Sequence, residues 1–472
     1  MDLNNPFSYF SGYGNYVIAG GDTICSLYTN FFEKYNNDQI FDEQKFKTFL
    51  CNNINRFLYS YGTGLSYVTQ KISDKHSERI SKTVNTIKSS TFMNNSHLYM
   101  DSGGFQVANG AVKTEDMPRF VDMYIQFLHD NINLYNKAFS LDLPPGPFSS
   151  VFSSYSQMEE LNRLSYTKFS QLPQEIKDKI LYVHHFRTPT LNNTWSKFLW
   201  EEDLADGIKN FSVGGIVANN STDICIPVII YALPLADIVL YCKQKGLRSF
   251  DFHVLGGANY IDIFYHNLFS HHIKKVHDID VRITYDSSGI FKGLAVGRFM
   301  PVFKSDGILY KMDLRSPTLH MKFDMEKSIQ DVTYEKINSI ASKYGMKEIN
   351  PVDHPIYDIQ RDTFNRSVHM YLMMCIMRLY RELEFYCKNY INDIYPLYEN
   401  GMIEQFEDAC ADIASRLNEG KLTKKIKAKS CSICKSLDIL TNLDRQYNAF
   451  LIEKFMANDD ISGMFDNGQL TF

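Results

Sequence analysis

The chain lacks a cysteine framework. Its nine cysteines are scattered, mostly singly, through 472 residues. An odd count without regular spacing excludes a disulfide-stapled scaffold and fits free thiols in a reducing compartment. No leader is expected, since Met1-Asp-Leu-Asn-Asn-Pro6 carries no basic stretch followed by an apolar run. No apolar run is long enough to span a bilayer. The richest window, Ile226 to Tyr241, is interrupted by Pro227, Pro234 and Asp237 and is shorter than the roughly 20 residues a spanning helix needs. Charge of one sign is not in excess. With a formal net charge of -5, any nucleic-acid surface has to be a local basic patch. No Gly-x-Gly-x-x-Gly turn follows a first strand, which argues against a dinucleotide-binding sheet. Low-complexity segments are absent. A cytoplasmic protein with no membrane partner is expected.

What is present is an ordinary globular composition, 44% hydrophobic and 22% charged, with 34 phenylalanines and 30 tyrosines. That suffices for a large core and more than one domain. One pattern recurs: a short apolar run ends in Gly, Asp or His, and a helix-like segment follows. The runs are Leu98-Tyr-Met before Asp101, Ala138-Phe-Ser-Leu before Asp142, and Ile180-Leu-Tyr-Val before His184-His185. Then come Phe211-Ser-Val before Gly214-Gly215, Phe252-His-Val-Leu before Gly256-Gly257, and Val281-Arg-Ile-Thr-Tyr before Asp286. Their spacing suits a strand, a loop and a crossover helix. Tyr16-Val-Ile-Ala offers a further strand. Pro118 to Leu128 and Tyr260 to Ile273 place apolar residues at helical spacing.

These units predict an α/β fold, a TIM-like (β/α) barrel closed by eight strands, over residues 1–320, with the chemistry at the C-terminal strand ends. The alternative is an open doubly wound sheet. Residues 321–420 read as a helical insertion. Within it Phe364 to Leu417 is Met-, Tyr- and Leu-rich, with a break at Pro396 and a stop near Gly401. Its methionines Met370, Met373, Met374 and Met377 read as core packing. Residues 421–472 read as a basic Cys-x-x-Cys segment and a closing helix over about 442–455. His271, His272 and His277 are expected on a solvated helix face.

The most informative stretch is Asp101-Ser-Gly-Gly-Phe-Gln106. Paired glycines let backbone approach a flat ligand, the aromatic offers a stacking face, and the carboxyl can carry a proton. A lone aspartate at a strand end more often caps the next helix, and Gly-Gly pairs mostly serve turns. The ordered set of strand ends is what singles out Asp101 and Asp286. Met100-Asp-Ser-Gly-Gly-Phe-Gln-Val107 resembles the signature of tRNA-guanine transglycosylases, which exchange guanine for a deazaguanine. Ala138-Phe-Ser-Leu-Asp142 resembles that family's second acidic strand end. Phe211-Ser-Val-Gly-Gly-Ile216 resembles its Gly-Gly loop, and His253-Val-Leu-Gly256 its His-Tyr-Leu-Met-Gly segment. Tyr285-Asp286-Ser-Ser288 resembles the segment that carries its nucleophile. The resemblance covers residues 95–310.

The resemblance implies that Asp286 is the nucleophile and Asp101 the general acid and base. It implies that Asp142 meets the N1 and amine edge of guanine. Gln106 and the backbone around Gly214, Gly215 and Ile216 would meet the carbonyl side. Phe105 and Leu255 would sandwich the ring, with Gly256 beside it. His185 stands where the family usually has a glutamine, and a base contact is assigned to it by position only. No cofactor is required for the chemistry.

Departures are informative. The family's zinc site uses Cys-x-Cys-x-x-Cys and a later histidine. Here Cys431 and Cys434 are present, but Lys429 stands at the first cysteine position and no histidine follows. A structural Zn2+ would need Cys410 or His369 as well. Asn219-Asn220 replaces the glutamate near the substrate's aminomethyl group, which favours a neutral 7-substituent. With the helical insertion, these features are similar to phage and bacterial DNA-guanine transglycosylases. The expectation is therefore replacement of guanine in DNA by a free 7-deazaguanine base, in the host cytoplasm if the chain is phage-encoded. Lys421, Lys424, Lys425, Lys427, Lys429 and Lys435 are candidate phosphate contacts. The alternatives are exchange on tRNA, a non-catalytic nucleic-acid-binding paralogue, and a glycosidase acting on ordinary sugars. Members of the family often dimerise, so a homodimer or partner subunit stays open.

Overall fold

The computed structural model describes residues 15–19, 56–89, 96–143, 151–185, 189–214, 226–286, 300–303, 309–312, 380, 383–418, 420–424, 426, 430 and 432–445. Eight strands close into one barrel in chain order. They are β1 (Tyr16–Ala19), β2 (Arg56–Ser60), β3 (His97–Asp101), β4 (Lys137–Phe139), β5 (Ile180–His185), β6 (Asn210–Gly214), β7 (Ser249–Val254) and β8 (Asp280–Asp286). Every neighbouring pair is parallel, and β1 seals the ring against β8 through Tyr16↔Tyr285 and Val17↔Asp286. This is the TIM-like α/β barrel expected from the spacing of apolar runs. β2 carries no such signal, because Phe57-Leu-Tyr59 between Arg56 and Ser60 is too short an apolar run to separate from a loop.

Strand side chains alternate between the barrel interior and the helical layer. The interior cluster is Val17, Leu58, Tyr99, Phe139, Leu181 and Val183, with Leu255 packed against it. The outer faces join a single large core with the surrounding helices. The helix Met117–Asp130 buries Phe120, Val121, Tyr124, Phe127 and Leu128 and has a proline in its first turn, where the missing N–H costs nothing. The helix Ile226–Gln244 runs through Pro234. Among the described residues no helix is long and apolar enough to cross a membrane. A small antiparallel pair, β9 (Met300–Phe303) and β10 (Leu309–Met312), stands apart from the barrel sheet.

The carboxy-terminal helices cover the outer side of this barrel. Tyr380 stacks on Tyr16 with ring centroids 4.2 Å apart. A helix over 383–399 follows and passes through Pro396 without the expected break. Ile391, Ile394 and Tyr395 bury against the core, which offsets the one hydrogen bond that proline removes. The helix does stop at Gly401, whose φ of 72° suits glycine. The helices Ile403–Arg416 and Ile433–Asn442 complete the layer. The basic segment is thus helical earlier than expected, and it ends at Leu443 in a left-handed conformation. The closing helix over 442–455 lies mostly outside the described residues.

The histidines expected in solvent are instead at this seam. His272 is fully buried. Its Nε2–H donates to Thr441 Oγ1 (2.9 Å), and the Tyr395 hydroxyl donates to Nδ1 (2.8 Å). Burial holds its pKa down at about 4, so the ring stays neutral. His277 Nε2–H donates to Leu440 O at 2.6 Å, and His271 meets the Tyr395 ring edge-on. The helix face that looks polar in sequence is a polar docking face.

Candidate active site

Period-two alternation carries the inward side chains of the last strand turns to one level above the apolar interior. That level holds Ser60, Asp101, His185, Gly214 and Asp286, with Ser60↔Asp101 and His185↔Gly214 directly paired. The C-terminal barrel mouth is therefore lined by polar groups over a dry floor, the position at which such barrels do chemistry.

Asp286 is held by two donors on one oxygen. Gly256 N–H donates to Oδ1 at 2.8 Å, and His253 Nε2–H donates to it at 3.2 Å. With Nε2 donating to the carboxylate, Nδ1 is left to accept from the Thr284 hydroxyl 2.9 Å away. His253 is buried, edge-on to Phe139 and tilted against Tyr99. Its ring cannot swing away, so it fixes the orientation of the carboxylate. Asp101 is half-buried. Burial pushes its pKa up. Asp286 adds to this, while hydrogen bonds from Ser60 and the Gly103 N–H oppose it. Asp142 is pushed to about 7, first by burial and then by the charge of Asp101. Three carboxyl groups thus share one site. Asp286 has two donors, whereas Asp101 and Asp142 retain protons more strongly than ordinary aspartates.

Glycines shape the slot around them. A Cβ on Gly104 would lie 2.6 Å from Asp142 O and 2.9 Å from its Oδ1. A Cβ on Gly214 would lie 3.3 Å from the His185 ring and 3.6 Å from Asp142 Oδ2. Gly103 has a φ of 84°, and its backbone interlocks with Gly62. Phe105 stands 64% exposed at the mouth. Gln106 turns inward, and its Oε1 is buried with no hydrogen-bond partner among the described residues. Leu255 roofs the apolar interior. His185 borders Gly214 and packs on Trp195. Its neighbour His184 is fully buried, and burial lowers its pKa to about 3, so it packs as a neutral ring.

Asp101, Asp142, His185, Gly214, Gly256 and Asp286 therefore converge on one mouth. Gly215 and Ile216 lie outside the described residues, as do Asn219 and Asn220. Ser60, Gly62 and Thr284 also belong to the site, although no motif in the sequence marks them, and His253 enters it through its contact with Asp286. Period two was the available signal: His253 lies across from Thr284 in register, two residues before Asp286.

Of the expected zinc donors, Cys410 and Cys434 are among the described residues. Cys434 is a buried thiol, not in a disulfide, beside Cys410 and Glu407, while Cys431 and His369 lie outside the described residues. Among the described residues no group of three or more His, Cys, Asp or Glu side chains is placed to hold a metal ion. A cavity of about 900 Å³ opens at the opposite, N-terminal end of the barrel, lined in part by Arg56, Lys137, Asp251, Arg282 and Lys388. Its charges are largely paired, with Arg282 2.5 Å and Lys137 3.3 Å from Asp251. That end of such barrels serves stability. No protein-family model matches the chain, and neither a curated protein nor a solved structure does.

Proposed function

We propose that the chain is a guanine base-exchange glycosyltransferase of the tRNA-guanine transglycosylase type, acting on DNA with a free 7-deazaguanine base as co-substrate. The observation that carries this reading is the unequal pair at the mouth. Asp286 is oriented through Oδ1 by Gly256 and His253, and Asp101 is held toward its protonated form by burial. An oriented carboxyl oxygen thereby stands beside a group held toward its acid form.

In the first half-reaction an oxygen of Asp286 bonds to the sugar C1′ as the bond from C1′ to guanine breaks. The electron pair of that bond leaves with the base, and the Asp101 proton passes to it. In the second half the incoming base gives its ring N–H proton to Asp101. Its nitrogen bonds to C1′, and the aspartyl ester breaks. Asp142, between Gly104 and Gly214, accepts from the N1 and amine edge. A ligand donating there favours the carboxylate, so base binding draws its pKa down. Gln106 offers its amide to the same ring.

Incubation with duplex DNA labelled in guanine, and separately with labelled tRNA, tests the reading through label release when a 7-deazaguanine is supplied. Release from DNA is expected. Release from tRNA alone rejects the DNA assignment, and release from neither rejects base exchange. Asp286→Asn is expected to abolish the covalent adduct and lower exchange by about a thousandfold or more. Undiminished exchange by that variant in a reconstituted complex would indicate a non-catalytic partner.

A further inference from the structure

Eight large apolar side chains stand exposed among the described residues, and three of them, Tyr67, Val68 and Phe105, lie just past the C-terminal ends of β2 and β3. Val68 is 94% and Tyr67 51% exposed. Single exposed apolar residues need no explanation. An adjacent tyrosine and valine on a pinned turn beside a carboxylate slot do need one.

The turn is anchored on both sides. Tyr61 N–H donates to Asp101 O at 2.8 Å, and a Cβ on Gly62 would come within 2.8 Å of Gly103 Cα. His76 Nε2 holds Tyr61 O at 2.6 Å. On the far side Gln70 Nε2 donates to Gly110 O at 2.7 Å, in the loop after the short helix that carries Phe105. Inside the turn, Gln70 N–H donates to Ser66 O (2.9 Å) and Thr69 N–H to Ser66 Oγ (3.2 Å). Tyr67 and Val68 are thus presented outward at the mouth. Lys71 and Lys75 follow on the exposed side. The nearby Asp74 is occupied by Arg119.

We propose that this turn is a nucleic-acid contact which compensates for the extruded guanine. Tyr67 stacks on a base beside the exchanged one, Val68 wedges into the gap, and Lys71 and Lys75 meet the flanking phosphates. The inference rests on the base-exchange reading of the mouth. An aromatic face accepts any base, a short aliphatic side chain fills an unstacked step, and extrusion leaves such a step behind. A free base entering the slot has no need of the turn, so the turn recognises the polymer alone.

The full chain is compared with Y67A/V68S and K71Q/K75Q variants, using a short DNA duplex with 2-aminopurine beside the target guanine. Binding is followed by anisotropy and stacking by 2-aminopurine emission. Binding of free 7-deazaguanine is measured separately by calorimetry, and melting temperatures confirm folding. Y67A/V68S is expected to weaken duplex binding on the order of tenfold and to lose the emission change, with base binding and melting temperature unchanged. K71Q/K75Q is expected to lower the slope of log affinity against log salt by about two. Unchanged duplex affinity and emission in Y67A/V68S would overturn the proposal, as would a wild-type chain that binds no nucleic acid. Loss of duplex binding in the variant from a wild-type chain that ignores the free base would keep the turn and sink the slot. The same loss with a tRNA stem-loop in place of DNA would keep the contact and change the polymer.

Discussion

Asp142 and Asp251 are both buried aspartates in the same barrel, and their protons respond in opposite directions. At Asp251 burial alone would raise the pKa, but Lys137 and Arg282 together reverse this and hold it below the usual value. At Asp142 nothing opposes burial and the charge of Asp101 except its own backbone N–H, and the pKa reaches about 7. The folded chain therefore holds a proton at Asp142 that the unfolded chain has lost above about pH 4. Stability from this residue is complete below the unfolded value and falls as pH rises toward 7. Asp142→Asn removes that dependence. The variant should be more stable than wild type by a few kcal/mol at pH 8, about 1.4 for each unit of pKa displacement. The difference should vanish near pH 4. Urea unfolding at the two pH values checks it, and a variant that is less stable at pH 8 would show that Asp142 gains more from its surroundings than burial costs. His253 supports a second prediction. Its bond to Asp286 Oδ1 orients a charge, and hydrogen bonds to charged groups contribute about 1.5–3 kcal/mol. His253→Leu should lower kcat for exchange by about ten- to a hundredfold with KM for the free base little changed. His253→Gln, which keeps a donor, should recover part of the loss.

At the scale of elements, the short segment after β3 does the shaping. Gly104→Ala places a methyl group 2.6 Å from Asp142 O, backbone that cannot move aside. Such overpacking costs typically about 1–3 kcal/mol, and the slot loses its width. The variant is expected to fold with reduced stability in urea and to bind no 7-deazaguanine by calorimetry. Full base binding would mean the ring enters elsewhere. The strand ends were readable because each is an apolar run closed by Asp, His or Gly, and those closing residues are the ones the barrel turns inward. β2 was not, since three apolar residues carry no period. Ser60 and Gly62 were hidden with it, although they brace Asp101 and Gly103. His253 was visible as a letter but not as a contact, because its partner Asp286 lies on the next strand. Proline and histidine misled in the carboxy-terminal half for a common reason. Pro396 and His272 read as a breaker and a solvated residue only while the surface they pack against is unknown.

At the scale of the whole molecule, the question is whether the carboxy-terminal helices are a separate lobe. A chain of 472 residues would by default unfold in stages. Here one buried carboxylate ties the two parts across the seam where the barrel closes. Glu384 Oε1 accepts from the Asn15 N–H at 2.8 Å and from the Tyr285 hydroxyl at 2.5 Å. Asn15 precedes β1, Tyr285 belongs to β8, and Glu384 lies on the helix over 383–399, so the closing pair of strands and the outer helix share one acceptor. Glu384 is buried, and burial raises its pKa. Glu384→Ala leaves two buried donors unpaired, at about 1–3 kcal/mol each. If barrel and helices form one cooperative unit, barrel-mouth fluorescence and far-UV circular dichroism should shift together to lower urea in this variant. Exchange should fall as well, because Tyr285 directly precedes Asp286 and a loosened seam displaces the nucleophile. Glu384→Gln keeps the acceptor without the buried charge and should stay close to wild type. If instead the helical signal melts first and exchange persists, the helices are an independent cover, and the barrel holds its nucleophile without them.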